Sequence, residues 1–293
     1  MNLILTVFQV VAPVFTLALI GFIWVKLDIE YRVEFVTKLA MTVSIPCLIF
    51  VALMKTEVSG AALTAISLAS IVAYAGVTLV MFLFIKINRL NAPTYLAPLI
   101  FGNTGNLGIP LALFAFGEVG LQYAVVSFAI MAVYSFTAGI WIVSGGGNPL
   151  KALKEPMVGA TILGGIFLWQ GWETPVWITN ALELLGQMGI PLMLITLGVA
   201  LARLSPAGLL RAFWLSLAKV IICAAIAWTV AVVFKLDDVA FAVLVLQVST
   251  PVAVTSYLIA QKYGANAGEV AGMVVASTFL SIAFIPILLA FLL

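Results

Sequence analysis

Phe101-Gly102-Asn103-Thr104-Gly105-Asn106-Leu107-Gly108-Ile109-Pro110 is a polar, glycine-punctuated decapeptide set between two apolar stretches, residues 95–100 and 111–116. Three glycines and a proline cannot hold a regular helix: glycine loses most entropy there, and proline removes a donor and crowds the preceding turn. The flanks, however, read as one continuous hydrophobic segment. Of the 293 residues 65% are hydrophobic and 8% charged, against roughly 25% charged in soluble domains. That balance excludes a soluble globular protein and specifies an all-α membrane protein. In lipid, non-helical backbone is tolerated only where it is buried in protein or lines a watery cavity. The decapeptide is therefore expected at the centre of the molecule, as a broken spanning helix.

Working outward, apolar runs near the roughly 20 residues that cross a bilayer fall at 4–25, 36–54, 61–85, 94–116, 121–143, 157–171, 183–203, 208–234, 239–260 and 267–292. This predicts ten spans, the sixth short and the fourth and ninth interrupted. The first run has no basic residue ahead of it and is long enough to span, so it is read as a retained helix, not a cleaved signal. Loops after the odd-numbered spans carry Lys26, Arg32, Lys38, Lys86, Arg89, Lys151, Lys154, Arg203, Arg211 and Lys262, whereas the opposite side carries only Lys55 and Lys235. By the positive-inside rule the richer side is cytoplasmic. Both termini are then expected on the outer side of the cytoplasmic membrane.

The chain also repeats. Pro13 and Pro156, Pro46 and Pro191, and Pro110 and Pro251 are separated by 143, 145 and 141 residues, and Ser44-Ile45-Pro46 recurs as Gly189-Ile190-Pro191. Two five-span repeats are expected, residues 1–143 and 157–293, joined by a cytoplasmic linker over 144–156. An odd number of spans per repeat inverts the second copy, the architecture of many secondary transporters. The second break is Gln247-Val248-Ser249-Thr250-Pro251-Val252-Ala253-Val254-Thr255-Ser256, and inversion brings it against the first, so broken helices 4 and 9 cross at mid-bilayer.

Each break presents a helix N-terminus, with Pro110 and Pro251 near first-turn positions where a missing N–H costs little. Unpaired N–H groups and the positive dipole end favour an anion. Asn103, Thr104, Asn106, Gln247, Ser249, Thr250 and Thr255 add neutral polar groups. The freed carbonyls suit a cation such as Na⁺ equally well. No Asp or Glu lies at the centre of spans 3, 4, 5, 8, 9 or 10, which disfavours a carboxylate ion relay and favours a carboxylate solute. Lys219, inside span 8, is the candidate counter-charge, unless its stem carries the ammonium to the interface. With no histidine and only Cys47 and Cys223, both in apolar runs, neither a metal nor a cofactor is expected. The GxxGxxG spacing is not the dinucleotide fingerprint, and the scattered basic residues form no nucleic-acid stripe.

Asn103-Thr104-Gly105-Asn106-Leu107-Gly108-Ile109-Pro110, with Gln247-Val248-Ser249-Thr250-Pro251 and the closing stretch around Tyr263-Gly264, resembles the auxin efflux carrier family. The resemblance implies a scaffold of spans 1, 2, 6 and 7 and a transport domain of spans 3–5 and 8–10. It also implies an organic anion held at the crossover by Asn103, Pro110 and Pro251. The long cytoplasmic loop of plant members is missing here, so the chain resembles the short prokaryotic branch, with malate- or malonate-type substrates. The expected function is carriage of a small organic anion by alternating access, with the bilayer as its other partner and a homodimer open to it. A Na⁺-coupled symporter of the related bile-acid carrier type is the alternative. An anion-sensing receptor would append an output domain, and an intramembrane enzyme would need a nucleophile–base pair; neither feature is visible.

Overall fold

The computed structural model describes residues 3–56, 58–144, 156–203 and 207–293. The helices are α1 (Leu3–Lys26), α2 (Val33–Leu39), α3 (Ile45–Met54), α4 (Gly60–Ile87), α5 (Ala92–Ile100), α6 (Ile109–Tyr134), α7 (Ile140–Ser144), α8 (Pro156–Gln170), α9 (Val176–Gln187), α10 (Gly189–Arg203), α11 (Leu209–Val233), α12 (Asp238–Val248), α13 (Val254–Tyr263) and α14 (Ala267–Leu292). Wider π turns at Ala40–Ser44, Thr104–Gly108 and Ser135–Gly139 run straight into α3, α6 and α7. Two of them immediately precede Ile45-Pro46 and Ile109-Pro110. Proline lacks the N–H and crowds the carbonyl one turn back, and a widened turn relieves both conflicts.

Among the described residues seven helices are long and apolar enough to cross a membrane, fewer than the ten spans expected. Part of the difference is that 104–144 counts as one uninterrupted run. Gly117, at φ 64° and ψ −154°, in fact cuts α6 in two, a conformation open to glycine and costly to other residues. The remainder comes from α8, which has 15 residues, and from the division of span 9 into α12 and α13. Of the expected linker over 144–156, residues 145–155 lie outside the described residues, while Ser144 closes α7 and Pro156 opens α8.

The broken elements occupy the middle of the core. Every residue of α5 from Thr94 to Ile100 is buried, as is α12 from Ala242 to Val248, and helices apolar on all sides belong in such interiors. On one flank α1 packs chiefly on α10. A Cβ added at Gly21 would strike the Ile195 carbonyl, and one at Gly198 the Ala18 carbonyl, so the two backbones touch directly. On the other flank α3 packs on α8 and α9, with Gly164 against Phe50 and Leu53.

Candidate functional site

The two breaks meet. Gly102 and Val252 form an isolated antiparallel bridge. The Asn103 N–H donates to the Pro251 carbonyl at 2.6 Å, and the Ala253 N–H to the Phe101 carbonyl at 3.4 Å. The chain leaves α5 at Phe101, is extended for three residues, and re-enters helix at Thr104; it leaves α12 at Ser249 and re-enters at Val254. Only glycine fits at position 102, because a Cβ there would overlap the Thr250 hydroxyl and crowd its carbonyl. The first interruption is shorter than the decapeptide suggests. Pro110 lies on the regular helix α6 behind the π turn, while Pro251 lies in the extended link, two residues before the N-cap Ala253.

A cavity of about 650 Å³ runs from this crossing to the side bearing Arg32 and Arg203, a size usual for small-molecule sites of roughly 300–1,000 Å³. Its inner wall holds Asn103 and Asn106 from the first break and Val254 and Thr255 from the second. These residues open the helical runs 104–116 and 254–263, and the first N–H groups of a helix lack an intrahelical acceptor. No side chain caps either start: Asn103 and Ala253 are N-caps without a side-chain hydrogen bond. Both positive helix ends therefore face the same space.

Opposite them stand Tyr31, Met193, Thr196 and Arg203, with Glu30 and Arg32 at the mouth. Arg32 Nε donates to Glu30 at 2.6 Å. Tyr31 and Thr196 share a hydroxyl hydrogen bond of 2.7 Å, tying the loop after α1 to α10. Burial raises the Tyr31 phenol above its ordinary pKa, against the lowering effects of the Thr196 bond and the Arg203 charge, so it is a neutral hydroxyl at pH 7. None of these opposing residues stands out in the sequence. Tyr31 sits in a charged loop and Arg203 reads only as one loop cation among many, since their convergence depends on how α10 packs beside α1.

The remaining residues singled out in the sequence frame the crossing or stand behind it. Thr104, Pro110, Gln247, Ser249, Thr250 and Pro251 are buried. Gln247 lies across the π turn, where a Cβ at Gly108 would overlap its amide. Thr250 Oγ1 donates to the Gln247 carbonyl at 2.7 Å, and the Val252 N–H donates to Ser277 Oγ at 2.9 Å. Among the described residues nine buried side-chain polar atoms have no protein partner, and five belong to Asn103, Thr104, Gln247 and Ser249. Native interiors leave few such atoms, and their concentration at one crossing makes it the candidate site. Lys219 is 1% exposed and donates from Nζ to the Thr250 carbonyl at 3.2 Å. It does not snorkel, and it is not among the residues lining the cavity.

Comparison with known proteins places the chain among transport families. An uncharacterized transporter of Methanocaldococcus jannaschii is 28% identical over 202 residues, which make up 64% of this chain and 64% of the relative. The family described as membrane transport protein, of the auxin efflux carrier type, matches residues 6–152 and 146–289. Matched over nearly its whole length, the chain belongs to this family.

Proposed function

We propose that the protein is a secondary carrier that moves a small organic anion, a carboxylate, across the cytoplasmic membrane by alternating access. The observation that carries this reading is the inner wall of the cavity. The buried, unpartnered amide of Asn103 sits there between two uncapped helix starts, and the two acidic residues that line the cavity, Glu30 and Glu34, are both solvent-exposed. Asn103 and Asn106 donate to the carboxylate, Thr255 adds a hydroxyl, and the helix ends offset the charge. Thr104, Pro110, Gln247, Ser249, Thr250 and Pro251 hold the crossing in register.

In this reading the chain crosses the bilayer ten times as two inverted five-span repeats, with both termini outside and the cavity open to the cytoplasm. Paired packing supports it: α1 on α10 (spans 1 and 7) mirrors α8 on α3 (spans 6 and 2). So do two apolar grooves, about 810 Å³ between α1, α10 and α14 and about 680 Å³ between α3, α4, α6 and α8. Each groove parts a scaffold helix pair from the crossing bundle and leaves a seam along which that bundle slides. The test is a thermal-shift screen of carboxylates on purified protein, followed by counterflow of each stabilising compound in proteoliposomes. Accumulation against an unlabelled internal pool, lost in Asn103→Ala, is expected. Counterflow equal in wild type and Asn103→Ala would sink the assignment.

A further inference from the structure

Lys219 is the only charged side chain that is buried among the described residues. It lies ten residues into α11, roughly 15 Å along the axis. The ammonium faces no carboxylate. Its bonded neighbours are the Thr250 carbonyl at 3.2 Å and Cys223 Sγ at 3.9 Å. Thr250 follows the C-terminal end of α12, where the helix dipole is negative and the last carbonyls lack an intrahelical donor. Beside the ammonium is a void of about 10 Å³ that also meets Ser216, Ser249, Ser277 and Ser281. The Ser249 hydroxyl is buried without a partner. The Thr250 carbonyl is the oxygen bonded to the ammonium, and the serine hydroxyls line the void beside it; carbonyl and hydroxyl oxygens at a negative helix end are the ligand type that a hard cation takes. An isolated buried ammonium costs several kcal/mol, so its presence here requires a comparable attraction.

We infer that the Thr250 carbonyl and the serine-lined void beside it form a monovalent-cation site whose charge the chain supplies with its own Lys219 ammonium. The ammonium offsets the end of α12 as a bound Na⁺ would, and because it is tethered it cannot leave on either face. If the carrier reading above holds, flux needs no Na⁺ gradient. The site itself does not depend on that reading, since it stands behind the crossing and its test measures ion binding, not transport.

Removing the ammonium should expose the site to free ions. Purified Lys219→Ala, melted in choline chloride, is expected to unfold below the wild type and to recover by roughly 2–4 °C in NaCl of equal ionic strength. The wild type should shift by less than about 1 °C under the same exchange. Radiolabelled Na⁺ should bind the variant and be retained poorly by the wild type. Lys219→Gln keeps a donor for the Thr250 carbonyl and guards against simple misfolding; it too should gain the Na⁺ response. A wild type stabilised by Na⁺ as strongly as the variants would overturn the proposal, as would either folded variant indifferent to Na⁺. Failure of both variants to fold even in NaCl would overturn it as well, because a free ion should then replace the tethered one.

Discussion

The two breaks cross at one point yet are built in opposite ways. In the first, the chain escapes helix for three residues only and then widens into a π turn. It leaves the Asn103 amide without a partner and turns Asn106 toward the cavity. In the second, the extended link is braced from behind, by Lys219 on the Thr250 carbonyl, by Thr250 on Gln247 and by Ser277 on the Val252 N–H. Both breaks keep buried polar atoms unpaired, on Asn103 and Thr104 in the first and on Gln247 and Ser249 in the second; what separates them is that only the second is braced by side chains from other helices, Lys219 and Ser277. If the carrier reading holds, this difference in bracing is expected to appear as a division of labour in which the first break binds and the second supports.

The contrast can be broken experimentally, beginning where the effect should be greatest. Gly102→Val should drive the breaks apart, because the space beyond Gly102 is already filled by Thr250. We expect destabilisation of about 3 kcal/mol, near the upper end for overpacking, together with loss of transport, read by thermal unfolding and counterflow. Survival of the variant at wild-type stability would mean that the bridge is incidental. Asn103→Ala should lower counterflow at least about tenfold, as loss of a charge-assisted hydrogen bond does, while melting close to the wild type. A melting point as low as that of Gly102→Val would reassign Asn103 to the frame.

Thr250→Val should show the reverse balance. It removes the hydroxyl given to the Gln247 carbonyl and should cost about 1 kcal/mol of stability, with a smaller transport loss than Asn103→Ala. A larger transport loss would exchange the roles of the two breaks. The smallest change is expected for Ser249→Ala, since its buried hydroxyl has no partner to lose. Stability should stay within about 0.5 kcal/mol of wild type or rise slightly. A clear fall would reveal a bond that the present arrangement does not contain.

Much of this was legible from residue type alone. Gly102 and Pro251 announce interruptions because glycine and proline weaken or break a helix, and the interruptions lie at 101–103 and 249–253, whereas Pro110 is carried within α6. Extent was harder to judge: Thr104-Gly105-Asn106-Leu107-Gly108 looks like loop, but a π turn uses these residues to carry helix up to a proline. The far wall of the cavity could not be read at all. Tyr31, Thr196 and Arg203 come together through the packing of α10 beside α1, and nothing in their spacing reports that approach. Lys219 was conspicuous as a charge in an apolar run, yet its partner is a backbone carbonyl, which no sequence displays.

The glycine contacts between α1 and α10 carry one more consequence. With Gly21 and Gly198 pressed on the opposing main chain, the two helices touch backbone to backbone at these points, so the pair is expected to behave as a single stiff plank. A plank of that kind is a keel: it resists rocking, and whatever swings in this molecule must swing about it. A disulfide engineered across that junction should leave turnover intact, while a staple from α1 to α14 should freeze it.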